Sequence, residues 1–421
     1  MVKVMKFGGA SLNDAGSVRN MAEIIKSFND ELVLVVSAMG KTTRAFHQLV
    51  NEYFNSRNYI QSLENIYDYH FTVINELFEN NYKQVFVDFE EVFGTIHSLV
   101  KIPPSENFDF EYDKLVSYGE IISSIVVSHY LRYSGIELSL VDIRKILKSD
   151  STHRDAKIDW EKSENLIKLE MDFNKSRIFL TQGFIASDEN GNTTTLGLEG
   201  SDFTAAILSY ILDANQMFVW KDVAGFFNSD PKKYSNVIKL DAISYSEAVE
   251  LAYYGAKVIH PKTIKPLQNK KIPLWVKSFK APGEPGTVIT DSTSNKSGVE
   301  PEVPVFISKD NQILISIAPN DFSFIEEENL YHIFSILSKF RIKVNLMQNS
   351  AISFSICVDN DSDKIIPTIN SLMESYKILY NEGLVLITIR HYNSTIINDT
   401  TYGRKIYLQQ KSRHTARFVV K

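Results

Sequence analysis

Near the start of the chain, Lys6-Phe7-Gly8-Gly9-Ala10-Ser11 joins an ammonium group to a glycine pair. Glycines between a strand and a helix let backbone amides approach an anion, and a helix N-terminus adds its dipole. Lys6 is then placed over a transferring phosphoryl group; the plainer alternative is an ordinary glycine turn. No Gly-x-Gly-x-x-Gly is present, which disfavours a dinucleotide site and with it a nicotinamide dehydrogenase. Further on, Gly197-Leu198-Glu199-Gly200-Ser201-Asp202 opens a predicted helix, where an anion or a capping side chain is favoured. Asp202 is therefore either a functional carboxylate or an N-cap. Lys221-Asp222-Val223-Ala224-Gly225, followed by Phe226, Phe227 and Lys232, makes either a loop that holds a purine and its ribose or a solvated turn. Lys257 comes soon after Gly255, and His260, set before Pro261, reads as structural. The nine histidines and one cysteine show no zinc-ligand spacing. Cys357, inside the apolar run 352–358, reads as a small core residue.

These residues need a scaffold, and the apolar periodicity supplies one. A strand over 2–7, a helix carrying Val18, Met21, Ile25 and Phe28, and a strand over 32–36 predict a parallel βαβ unit with a right-handed crossover. Residues 43–100 read as a helical excursion. A helix over 119–133 and strands over 137–141, 178–183, 217–220 and 272–276 follow, with helices over 202–212 and 246–254. The alternation predicts an α/β sandwich with a mostly parallel sheet. Glycine, proline and serine crowd residues 281–304, as in a linker. Beyond it, strands over 312–317, 343–347 and 352–358 with helices over 330–340 and 365–373 give most of a βαββαβ unit, an α+β pattern. More strands are predicted over 384–390, 405–410 and 416–420.

Composition narrows the class. A chain of 421 residues exceeds what one core usually serves, so two or three domains are expected. Hydrophobic residues at 44% and charged residues at 23% are ordinary for a globular protein. A formal charge of −6 argues against nucleic acid or an anionic membrane as partner. One cysteine forbids an intramolecular disulfide and fits a reducing cytoplasm. The first residues carry no signal-peptide pattern, and no uncharged stretch is long enough to span a bilayer.

In this order, residues 6–11, 35–43, 117–120, 142–150, 181–186, 193–202, 222–231 and 250–261 resemble the aspartate kinase family, of the amino-acid kinase fold. Residues 344–350 look like that family's ACT region. The resemblance implies an αβα-sandwich catalytic domain over 1–290, a ferredoxin-like ACT domain over 303–380 and a shortened second ACT unit over 381–421. It implies transfer of the γ-phosphoryl group of ATP, with Mg²⁺, to the β-carboxylate of L-aspartate, as in lysine and threonine biosynthesis. By the same resemblance Lys6 and Asp202 are catalytic. Gly8, Gly9, Lys221, Asp222, Phe227, Lys232 and Lys257 fall at nucleotide positions. Ser37, Thr43, Glu120 and Ser201 fall near the acceptor, with Glu120 suited to its ammonium group. Asn345 and Ser350 fall at effector positions for lysine or threonine, no metal is held by side chains alone, and a homodimer or larger homo-oligomer through the ACT region is implied.

The chain departs from that pattern at several positions. Leu198 replaces the arginine that grips the substrate's α-carboxylate, and Arg44 replaces asparagine. Lys221 and Phe227 stand where threonine and tyrosine are usual, which on the sequence alone read as mild changes. Asn345 and Ala351 replace acidic residues common in lysine-sensitive relatives. Two alternatives therefore stand beside aspartate kinase: a kinase of this fold with another acceptor, and a weakly active or non-catalytic amino-acid sensor.

Overall fold

The structure is a computed structural model that describes residues 1–78, 82–234, 236–256, 258–291, 303–321 and 323–421. Among them no helix is long and apolar enough to cross a membrane. The chain divides into two units.

The first unit holds Met1–Phe226, Lys239–Ala252 and the described residues between 258 and 291. Its elements are β1 (Val2–Phe7), α1 (Ala15–Lys26), β2 (Glu31–Val36), α2 (Thr42–Phe54), α3 (Ile60–Phe78), α4 (Lys83–Leu99), α5 (Phe108–Val116) and α6 (Tyr118–Tyr133). There follow β3 (Ser139–Val141), α7 (Ile143–Ile146), α8 (Trp160–Glu170), β4 (Ile178–Gln182), β5 (Ile185–Ser187), β6 (Thr193–Thr195), α9 (Gly200–Ile211) and β7 (Gln216–Lys221). After two short strands, β8 (Phe226–Phe227) and β9 (Lys239–Leu240), come β10 (Ala242–Ser244), α10 (Tyr245–Tyr254), α11 (Pro261–Lys270), β11 (Leu274–Ser278) and β12 (Thr287–Thr290).

Eight strands form one sheet in the order β10-β12-β11-β7-β1-β2-β4-β3. All its pairings are parallel except β11 with β12, so the mostly parallel sandwich predicted from the alternation is what the chain builds. Side chains alternate across a strand, so β1 sends Met5 and Phe7 into the core beneath the helical excursion and turns Val4 and Lys6 to the opposite face, toward α9. Phe7 stacks on Trp220 at 6.1 Å, which ties the ends of β1 and β7 together. Burying such a ring contributes roughly 1.5–3 kcal/mol. The expected linker at 281–304 contains β12, a strand too short for periodicity to reveal.

The second unit holds the described residues of Phe227–Ile238, Tyr253–Ala256 and the C-terminal region from 303. It contains β13 (Val305–Pro319), α12 (Glu327–Lys339), β14 (Val344–Asn349), β15 (Phe354–Asp359), α13 (Ser362–Met373), β16 (Tyr376–Arg390), α14 (Ser394–Thr401), β17 (Ile406–Lys411) and β18 (Thr415–Val420). One antiparallel sheet runs β14-β15-β13-β16-β18-β17. Ile313, Ile315 and Ile317 pack with Ile333, Leu337 and Ile365 of α12 and α13, while Ile397 of α14 packs with Ile387, Ile389 and Phe418. Residues 380 and 381, where the two ACT units were expected to meet, lie inside β16. Two segments from the middle of the chain belong to this unit by their bonds. The Phe306 N–H donates to the Asn228 carbonyl at 2.7 Å, Lys233 Nζ donates to Ser308 Oγ at 2.9 Å, and the Arg417 guanidinium lies 4.8 Å from the Tyr254 ring centre.

Candidate active site

The strand order places β1 at the point where the chain's path across the sheet reverses, with β2 on one side and β7 on the other. Ligands of open parallel sheets bind outside the carboxyl ends of the strands at such a point. Lys6 lies near the end of β1, Lys221 ends β7, Ser37 follows β2, and Asp202 and Glu120 sit in the first turns of α9 and α6.

The centre is an ion-pair cluster. Lys6 Nζ lies 2.7 Å from Oδ1 of Asp202, and Lys221 Nζ lies 3.0 Å from Oδ2. Asp202 is buried, and burial alone would raise its carboxyl; Lys6 and Lys221 outweigh this and hold it below the usual carboxylate range. Burial would likewise lower the Lys221 ammonium, yet Asp202, then Glu199, hold it above its ordinary value. Asp202 is not an N-cap: Glu199 takes that place with φ 54° in the left-handed region, and the Asp202 side chain is spent on the lysines.

The glycine pair lies against the loop after β2. A Cβ at Gly9 would come within 2.8 Å of the Gly40 carbonyl oxygen and 2.9 Å of that of Ala38, so only glycine lets the two backbones meet. The Gly40 N–H donates to the Gly9 carbonyl at 3.1 Å and the Ser37 N–H to that of Phe7 at 3.1 Å. A Cβ at Gly8 would stand 3.2 Å from Lys6 Nζ. One expectation changes here. A 3₁₀ turn over Gly9–Ser11 follows the strand, and α1 begins only at Ala15, where Asp14 accepts the Ser17 N–H at 2.7 Å. The free N-terminus nearest the cluster is that of α9.

Glu120 is buried. Its Oε1 accepts the Ala38 N–H at 3.4 Å, and Oε2 has no hydrogen-bond partner among the described residues. Burial pushes its carboxyl up to about 8 against the pull of the Ala38 and Glu120 backbone N–H groups and the Lys6 charge. A buried carboxylate oxygen without a partner costs free energy that a bound cation would relieve. Ser201, buried, lies against Gly183, where a Cβ would meet its own Cβ at 2.6 Å. Thr43 is half-buried in the first turn of α2, Arg44 beside it is exposed, and Leu198 is 76% exposed.

Asp222 is exposed beyond β7. Phe227 and Lys232 belong to the second unit, where Lys232 is exposed and its N–H bonds Asp230. Lys257 lies outside the described residues. His260 caps α11, its Nδ1 accepting the Lys262 N–H at 3.2 Å. Cys357 is buried and its thiol is pushed up to about 12 by burial, as a core residue's would be. Asn345 is held inside the second unit by Lys309, Gln312 and Asp359, whereas Ser350 is exposed and bonds Ser353. Sequence reasoning missed Glu199, whose Oε2 is buried without a hydrogen-bond partner among the described residues; its place just before Gly-Ser-Asp was the available signal.

Residues 1–278 match the amino acid kinase family. The chain belongs to that family. As an amino acid kinase it is 29% identical over 399 residues to lysine-sensitive aspartokinase 3 of Escherichia coli, covering 92% of this chain and 86% of the relative. It is 32% identical over 329 residues to a chloroplastic bifunctional aspartokinase/homoserine dehydrogenase 2 of Arabidopsis thaliana, covering 75% of this chain but only 36% of that longer protein. In three dimensions this amino acid kinase resembles E. coli aspartokinase III in complex with aspartate and ADP, with a TM-score of 0.83, 26% identity, and coverage of 100% of this chain and 96% of the other.

Proposed function

We propose that this chain is an aspartokinase, transferring the γ-phosphoryl group of MgATP to the β-carboxylate of L-aspartate. The observation that carries the reading is the Lys6–Asp202–Lys221 cluster beside the glycine pair, with a buried Glu120 oxygen that has no hydrogen-bond partner among the described residues. Phosphoryl transfer asks a protein for positioning and charge stabilisation, and that is what two placed ammonium groups and backbone amides offer. Gly8, Gly9 and Asp222 take the nucleotide; Ser37, Thr43, Glu120 and Ser201 take the amino acid. Mg²⁺ comes as part of the substrate, on the nucleotide's phosphates, because the Asp202 carboxylate is already engaged by two lysines. The reaction belongs to aspartate-family amino-acid biosynthesis in the cytoplasm. Measuring ADP release against a panel of amino acids, with the acyl phosphate trapped by hydroxylamine, tests this. Release with another acceptor and not aspartate would transfer the reading to that acceptor, and ligand binding without release would make the chain a sensor.

The Glu120 carboxyl sets a pH dependence. The acceptor's ammonium group pairs with the carboxylate, and with the free site's pKa near 8 the carboxylate is the minor form at pH 6.5. KM for aspartate is therefore expected to fall as pH rises, by up to about tenfold per unit below 8, and to level off above it. Glu120→Gln should raise KM and flatten that slope. A flat wild-type profile between pH 6.5 and 8.5 would remove Glu120 from ammonium recognition.

The C-terminal sheet is proposed as the regulatory module, binding an amino-acid effector of the lysine or threonine class near Asn345 and Ser350. Its edge strand β14 exposes Met347 and leaves backbone groups open to pairing. A homodimer through this module is expected by light scattering, and a monomer at micromolar concentration would contradict it.

A further inference from the structure

We propose that Lys221 is a catalytic residue of the phosphoryl-transfer step, a second cation on the transferring group beside Lys6, rather than a contact to the nucleotide's sugar or base. The inference rests on the aspartokinase reading for the acceptor, but its geometry does not depend on which acceptor is used. The family pattern puts threonine at this position, which can hydrogen-bond but carries no charge. Lysine here is a change of chemistry.

The geometry begins with the sheet register. Phe7 of β1 pairs with Trp220 of β7, so Lys221 projects from the carboxyl end of the strand next to the one that carries Lys6. Both ammonium groups close on one buried carboxylate, one on each oxygen. A contact with a distant ribose would point the lysine away from Asp202; here it points at the same atom group as Lys6. Two ammonium groups converge on one carboxylate at the α9 N-terminus, whose partial charge has the same sign as theirs, while the Glu199 and Asp222 carboxylates offset part of that charge around Lys221. The two ammonium groups are the cations an anionic phosphoryl group would meet there.

Glu199 completes the arrangement as a positioning residue. It stands at the N-cap of α9 in a left-handed conformation, and its buried Oε2 has no hydrogen-bond partner among the described residues. Its negative charge draws on Lys221 and helps keep that ammonium protonated despite burial. Relative to the family pattern, this chain has lost a cation at Leu198 and gained one at Arg44 and one at Lys221, and of the two gained it is Lys221 that joins Lys6 on Asp202.

In the reaction, an acceptor carboxylate oxygen forms a bond to the γ-phosphorus as the bond from that phosphorus to the β,γ-bridging oxygen breaks. The electron pair leaves on ADP, and no proton has to move. Negative charge shifts during this step onto the bridging oxygen and stays high on the γ-phosphoryl oxygens, so a second ammonium group acts where Lys6 acts.

The test compares wild type with Lys221→Met and Lys221→Arg, and reads kcat, KM for MgATP, and ADP affinity by calorimetry with and without aluminium fluoride, a mimic of the transferring group. Lys221→Met is expected to lower kcat about 30-fold or more and to abolish the tightening of ADP by aluminium fluoride, while ADP alone binds within about twofold of wild type. Lys221→Arg, which keeps the charge, should restore part of both. If ADP affinity drops instead and kcat at saturation holds, Lys221 is a nucleotide contact and the proposal is wrong; unchanged kcat and unchanged aluminium fluoride response also overturn it. Should the methionine variant fail to fold, Lys221→Thr carries the same readings. The calorimetric arm needs no acceptor, so a wild type inactive on aspartate would overturn the acceptor reading and still leave Lys221 judged.

Discussion

Lys6→Ala is expected to lower kcat about 100-fold or more, with a circular dichroism spectrum like that of wild type. A preorganised cation at developing charge contributes several kcal/mol to a transition state, and each 1.36 kcal/mol is about tenfold in rate. The fold should survive because Lys6 faces the site rather than the core, and Val4, Met5 and Phe7 hold the strand. Asp202 would keep Lys221 as partner, so no carboxylate is left buried alone. KM for aspartate should change far less than kcat, since the interaction lost belongs to the transition state. Turnover near the wild-type rate would remove Lys6 from the mechanism.

Leu198→Arg is expected to lower KM for aspartate by about tenfold or more, with little change in KM for ATP. The family's arginine grips the α-carboxylate, and a charge-assisted hydrogen bond is worth roughly 1.5–3 kcal/mol. The side chain at 198 is exposed just before the helix that carries Ser201 and Asp202, so a longer residue has room to reach the acceptor. An analogue without the α-carboxylate should gain much less. If wild type already binds aspartate tightly, or the substitution changes nothing, another cation such as the exposed Arg44 grips that carboxylate.

The main frame was legible because it rests on patterns that survive without tertiary information. The strand at Val2–Phe7 and the helix at Tyr118–Tyr133 announce themselves through apolar runs, and the glycine pair marks the turn between strand and helix. What escaped is what depends on distant partners. Nothing near Asp202 in sequence tells that Lys6 will meet it, so on the residues alone capping and catalysis read alike, and only the family resemblance sets both at the phosphoryl group before β1 and α9 are packed together. Threonine to lysine at 221 looked mild because sequence offers no view of the carboxylate waiting 3.0 Å away. Asp14 took the α1 N-terminus, a local bond that could have been read from Asp14 and Ser17 but was outweighed by the glycines before it. β12 escaped because four residues following Gly283 and Gly286 carry no period, and its place in the sheet comes from pairing with β10 and β11.

The described residues of 227–238 and residues 253–256 come from the middle of the chain yet belong to the same unit as the C-terminal sheet. One consequence is for anyone who would cut or graft this protein. A stop codon after residue 302 would strip Asn228 and Lys233 of their bonds to Phe306 and Ser308, and Tyr254 of the guanidinium beside it. The truncated chain would keep the pairing of β8 with β9 but lose the bonds that tie residues 228 and 233 to β13. A working chimera has to exchange three stretches at once, so shuffling of such regulators between kinases is constrained by the weave as much as by the ligand each one senses.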